Sequence, residues 1–284
     1  MRIAISNLAW DVADDEQVAA LLGRYGIDAI DVAPGKYFSD FKTTSLADIA
    51  CVREWWAARG ITVTGMQSLM FGTTGLNMFG DCETQDSMLA HLGEVCRIGA
   101  CLGANRLVFG SPKNRDRSSR TDEQTQNIAE AFFRRLGDIA GQHGIIFCLE
   151  PNPPCYGSNF MIDSADTAQI VMDVAHPAIR MQLDTGAITI NGEDPFQVIN
   201  EYGPLIGHVH ASEPDLITLG DGKTDHVRVA AALNAGLPGQ IVSIEMLPSK
   251  SEPNLIALER ALVVAISHYG ARVLNVDLKR ILQE

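Results

Sequence analysis

The feature that most constrains this chain is its alternation. Eight short apolar segments, residues 2–7, 29–32, 62–67, 106–110, 145–150, 179–184, 205–210 and 241–245, read as strands. Between and after them lie stretches of helical pattern at 14–24, 46–59, 86–102, 122–142, 164–174, 195–202, 227–235 and 254–268. Glycines 26, 60, 103, 144 and 203 stand where helices should stop, because glycine takes the left-handed conformation at little steric cost. Strands alternating with helices imply parallel pairing and right-handed crossovers. Eight such units close on themselves, so the expected fold is α/β, a (β/α)8 TIM barrel with residues 1–284 as a single domain. Helix-to-strand links are short. The strand-to-helix links at 68–85, 111–121, 151–163 and 211–226 are long, and in such a barrel they all emerge at the end that carries the active site.

A length of 284 residues supports one large core. No apolar run approaches ~18 residues, so no membrane span is expected. The N-terminus reaches Asp11 too early for a secretory signal and has no small-residue cleavage pattern. Six cysteines at 51, 82, 96, 101, 148 and 155 show no CxxC spacing, which points to reduced thiols and a cytoplasmic location. A net charge of −13 opposes nucleic acid and anionic membranes as partners. It is compatible with a small neutral substrate or a divalent cation.

The chemistry gathers at the ends of the last four strands. Residues 145–154 read IIFCLEPNPP, residues 180–184 RMQLD, residues 206–210 IGHVH and residues 241–245 IVSIE. Each segment leads to a residue that can hold a metal: Glu150, Asp184, His210 and Glu245. Strand side chains alternate with period two, so each candidate points into the barrel at its upper rim. One acid at a strand end is ordinarily a salt-bridge partner or a helix cap. Four such residues on consecutive strands form a hard, oxygen-rich set suited to Mn²⁺, Mg²⁺ or Co²⁺, with Zn²⁺ also admitted.

LEPNP, LDTG, GHVHASEPD and SIEM at these strand ends resemble the sugar phosphate isomerase/epimerase family of xylose-isomerase-like TIM barrels, which includes ketose 3-epimerases and inosose dehydratases. The resemblance spans essentially the whole chain and is strongest over 145–247. It implies one divalent metal on Glu150, Asp184, His210 and Glu245, with Glu150 and Glu245 as the catalytic acid/base pair. It also implies a homo-oligomer. The expected activity is a divalent-metal-dependent isomerase or epimerase. It would act on a sugar or keto-polyol by proton transfer through a metal-bound enediolate. The alternative is a metal-dependent dehydratase of inosose or dehydroshikimate type. A nuclease on the same barrel would need more histidines at the rim and a basic face, which the charge opposes.

The chain departs from the ketose 3-epimerase pattern at Ala187, where that family carries a histidine, and at Leu216, near its usual arginine. Its EPNPPCYGSNF loop also lacks that family's Arg-Phe-Glu cluster. The substrate class therefore extends to a modified, acidic or nucleotide-linked sugar or a cyclitol, and Asn152 and Tyr156 become candidate substrate contacts.

His208 shares a face with His210, one pleat deeper. It is expected to bond a substrate hydroxyl or to orient Glu150 or Asp184, against a plain inner-layer role. Glu213 is read equally as a substrate ligand or a loop pin. Gln67, Asn7, Asp31 and Ser111 can line the opposite wall, with Gln67 taken as a substrate contact. Lys113 and Arg115 can meet an anion or be solvated. Trp10, Phe71 and Phe79 are weighed as an apolar lid against plain packing.

Overall fold

A computed structural model of the protein describes residues 1–118 and 120–270; residues 271–284 of the expected domain lie outside it. The strands are β1 (Arg2–Ser6), β2 (Ala29–Val32), β3 (Thr62–Met66), β4 (Arg106–Phe109), β5 (Ile146–Leu149), β6 (Ile179–Asp184), β7 (Ile206–Ser212) and β8 (Ile241–Glu245). They form one closed barrel in sequence order. All pairings are parallel, and closure is made where Arg2 of β1 meets Ile241 of β8 and Ile5 meets Ile244. The (β/α)8 TIM barrel read from the alternation is the fold observed.

The helices are α1 (Asp15–Arg24), α2 (Leu46–Ala57), α3 (Cys82–Leu102), α4 (Asp122–Gln142), α5 (Ser164–Val174), α6 (Thr185–Asn191), α7 (Pro195–Tyr202), α8 (His226–Gly236) and α9 (Asn254–Tyr269). Their starts follow local chemistry. Ser45 and Thr121 each make a reciprocal capping box at α2 and α4. Asp81 accepts from the Thr84 amide, so α3 starts at Cys82, four residues before the sequence reading placed it. Gly103 ends the same helix with φ 89°, in the left-handed region.

The core lies between strands and helices. Val242 and Ile244 of β8 join it with Ile3 and Ile5 of β1, Leu107 and Phe109 of β4, and Phe147 and Leu149 of β5. This is the period-two pattern of a strand covered by helices on one face. The intervening positions of several strands, Gln182, His208 and Ser243, are buried and polar.

Two details bear on the site. α6 was not anticipated. It begins directly on Asp184, whose side chain accepts from the Ala187 amide as its N-cap. β7 runs on to Ser212, so His210 sits two residues inside the strand rather than at its end, and Glu150 lies one residue beyond β5. No helix among the described residues is long and apolar enough to cross a membrane.

Candidate active site

Strand register brings the four residues together. Asp184 is level with His210 across the β6–β7 ladder, and Ser212 is level with Glu245 across β7–β8. One ligand atom from each of Glu150, Asp184, His210 and Glu245 lies within 4.8 Å of all the others. His210 is central: its Nδ1 stands 3.1 Å from Glu245 Oε2 and 3.5 Å from Glu150 Oε1.

Each carboxylate is held by neighbours. Asp184 Oδ1 accepts from the Ala187 amide at 2.7 Å, and Oδ2 accepts from the Ser212 hydroxyl at 2.7 Å. Ser212 Oγ in turn accepts from the Gly186 amide at 2.9 Å, so the β6 acid is locked to β7 and to the first turn of α6. Glu245 Oε1 accepts from Gln67 Nε2 at 2.5 Å. Glu150 Oε2 accepts from Asn152 Nδ2 at 3.2 Å, and Asn152 Oδ1 accepts from Arg115 Nη2 at 2.6 Å. Arg115 also donates from Nη1 to the Glu150 carbonyl at 2.8 Å.

The electrostatics follow from crowding. Burial, then the charges of Glu245 and Glu150, push the Asp184 carboxyl well above its ordinary range. Burial also presses on Glu150, but the bond and charge of His210 and the amide of Asn152 outweigh it and hold that carboxyl low. For His210, burial favours the neutral ring, yet Glu245 and Glu150 prevail and raise it well above its usual value. Glu150 Oε1 meets His210 Nδ1 at 3.5 Å and makes no closer hydrogen bond, which leaves it able to take a ligand. Three hard oxygen donors and one nitrogen fit a divalent cation.

Residues 19–263 match the family model described as "Xylose isomerase-like TIM barrel". The chain belongs to that family. A Xenopus laevis protein named "Putative hydroxypyruvate isomerase" is 30% identical over 145 residues, 46% of this chain and 51% of that protein. The chain thus aligns with about half the length of this curated relative. A D-psicose 3-epimerase crystal structure, determined in the presence of D-fructose, superposes with a TM-score of 0.79 at 19% identity, covering 95% of this chain and 100% of that one. An IOLI protein structure with a binding zinc atom superposes with a TM-score of 0.74 at 18% identity, covering 95% and 98%. At these identities the two structures speak to the fold.

In this xylose isomerase-like barrel Glu150, Asp184 and Glu245 open onto a cavity of about 630 Å³, within the size range of small-molecule sites, with His210 fully buried behind them. Gln67, Asn152, Tyr156 and Glu213 line it. Tyr156 turns its hydroxyl to the Asp215 amide at 2.7 Å. Glu213 is occupied elsewhere: it accepts from the Gly220 and Thr224 amides at 3.0 Å each and meets His226 Nε2 at 3.0 Å. Of its two readings, loop pin is the one these bonds describe.

His208 faces the barrel interior but is not at the cavity. Its Nε2 is bonded to Asp31 Oδ2 at 2.8 Å, below the four-ligand cluster, so the expected contact with substrate, Glu150 or Asp184 is replaced by a β2–β7 bridge. Asp31 is therefore also an interior residue rather than a wall of the cavity, and Asn7 accepts from the Ala33 amide at 2.7 Å. Ser111 lines the cavity and donates to Asn114. Trp10 and Phe79 are buried, which settles them as packing, whereas Phe71 stands 81% exposed at the cavity mouth. Lys113 is at the same mouth.

Sequence reasoning missed the role of Arg115. The sequence presents it as a loop cation that can meet an anion or be solvated, but it is fully buried behind Glu150. The signal available was its place in a short proline-started turn, SPKNR, directly after β4.

Proposed function

We propose that the protein is a divalent-metal-dependent isomerase or epimerase of a small sugar or keto-polyol, with Glu150, Asp184, His210 and Glu245 as metal ligands. Mn²⁺, Mg²⁺, Co²⁺ and Zn²⁺ all suit the donor set. The observation that carries the reading is the disposition of the two glutamates. Each puts one oxygen beside His210 Nδ1. β5 and β8 are separated by β6 and β7 in the barrel, so the two carboxylates approach the shared centre from different directions.

When bound, the metal supplies a Lewis acid that acidifies the C–H beside a substrate carbonyl. Glu150 and Glu245 then act as base and acid on the two faces of the substrate. One glutamate accepts the carbon-bound proton and the other returns a proton, to the same carbon for epimerisation or to its neighbour for isomerisation. Asp184, bonded to the first turn of α6 through one oxygen and to β7 through the other, fixes the geometry of the ligand set. Leu8, Met70, Val108 and Leu247 give the cavity its apolar sides.

Support comes also from the relatives, one named as a hydroxypyruvate isomerase and one as a D-psicose 3-epimerase. They do not favour the dehydratase alternative. The test is proton exchange. Hydroxypyruvate, D-psicose and D-fructose are incubated with the Mn²⁺-loaded enzyme in deuterium oxide, and mass spectrometry follows label entering the position next to the carbonyl. Glu150→Gln and Glu245→Gln are each expected to remove exchange shown by the wild type. Undiminished exchange in both variants, or product lighter by one water, refutes the assignment.

A further inference from the structure

The two glutamates share a second feature that the proton-transfer reading does not require. The oxygen that Glu245 turns away from His210 accepts from the amide of Gln67 at 2.5 Å, and the corresponding oxygen of Glu150 accepts from the amide of Asn152 at 3.2 Å. A carboxylate only accepts, so both amides must present their NH₂ group to the acid, which fixes which way each side chain points. The terminal torsion of a glutamate is broad and two-fold, so an unsupported carboxylate rotates freely. A donor on the outer oxygen stops that rotation and aims the inner oxygen.

The supports behind the two amides differ. Asn152 is backed by Arg115, fully buried, which bonds its carbonyl at 2.6 Å and the main chain of Glu150 at 2.8 Å. Glu150, Asn152 and Arg115 therefore close a ring of three contacts. Gln67 is held only through its main chain, which donates to the Val32 carbonyl at 3.0 Å. Its side-chain carbonyl is buried and has no partner.

We infer that Gln67 and Asn152 are a matched pair of positioning residues, each orienting one glutamate toward the ion through its outer oxygen, with Arg115 fixing the Asn152 side. This moves both amides from substrate contact, the role their sequence positions suggested, to control of the ligand set. The inference rests on the proposed metal site and predicts something separate from it. Loss of a hydrogen-bonded support of a metal ligand typically weakens metal binding by about 10–100-fold.

The experiment is calorimetric titration of chelator-stripped protein with Mn²⁺. Gln67→Met and Asn152→Leu keep approximate size and remove the donor; Asn152→Ser, too short to reach Glu150, replaces Asn152→Leu if that variant does not fold. Each is expected to raise the Mn²⁺ dissociation constant by about 10-fold or more while circular dichroism stays that of the wild type. Wild-type affinity in folded variants of both positions overturns the inference and leaves the metal site standing. Asp184→Asn in the same series reports on the site itself. If the wild type binds no Mn²⁺, or Asp184→Asn binds as tightly as the wild type, the metal reading fails and the inference fails with it.

Discussion

Gly110 offers a perturbation aimed at one atom of the site. It follows β4 directly, and a methyl group placed on it would overlap Glu150 Oε2 and come within 2.9 Å of Glu150 Cδ. Carbon atoms rest at about 3.5–4.0 Å, so the carboxylate must retreat by roughly 1 Å. The backbone at Gly110 does not lie in the left-handed region, so alanine is conformationally acceptable there. The global cost should then be moderate: overpacking costs about 1–3 kcal/mol, offset by about 0.4–1 kcal/mol from the stiffer unfolded chain. A separate effect falls on the site. A displaced Glu150 loses the Asn152 bond and its aim at the shared centre, so Gly110→Ala should weaken Mn²⁺ binding by about 10–100-fold, or roughly 1.4–2.7 kcal/mol. Calorimetric titration with Mn²⁺ alongside urea unfolding separates the two effects. A variant that binds Mn²⁺ within about twofold of the wild type would show that Glu150 is not held where its oxygens matter.

Two further expectations concern the frame. His208→Leu leaves the buried Asp31 carboxylate without its histidine partner. Burial alone would raise that carboxyl, but His208 dominates and holds it down to about 2, so removal should cost about 3 kcal/mol or more in urea unfolding; an unchanged midpoint would rule this out. Glu213 is pressed upward by burial, but His226 and the Thr224 amide and hydroxyl bring its carboxyl down to about 2. A folded-state value below the unfolded one gives stability that is complete above about pH 4.5 and lost as pH falls toward 2. Glu213→Gln should therefore differ more from wild type at pH 6 than at pH 3 in urea midpoints, and a gap that widens toward acid would contradict the assignment.

The barrel was legible because each strand announces itself twice, by an apolar run and by the turn or glycine that precedes it. β2, β6 and β8 fall at the residues expected, as do α4 and α5. α6 was not legible because TGAITIN is rich in β-branched residues with weak helix preference, and its cap is Asp184 itself. The gathering of Glu150, Asp184, His210 and Glu245 could be read because strand ends in a parallel barrel share one rim. What those residues lean on could not. The partner of His208 is on β2, 177 positions away, and the partner of Glu245 is Gln67, 178 positions away. No local pattern encodes such pairs. They follow from closure of the sheet, which sets strands far apart in the chain across a narrow interior. Arg115 shows the same limit: its charge suggested solvent, and only the fold reveals a carbonyl and an amide waiting for it.

The doubled duty of Asp184 has a consequence for redesign. One of its oxygens starts a helix and the other is tied to the neighbouring strand, so its length and acceptor chemistry are already committed before any ion arrives. Retuning ion preference by exchanging this side chain for an imidazole or a longer acid would unseat residues 185–187 as well, whereas such exchanges at Glu150 or Glu245 disturb one side-chain amide and the contact with His210, and no helix start. The four corners are thus unequal as engineering handles, and a graft of this centre into another barrel has to carry residues 184–187 and Ser212 as one block.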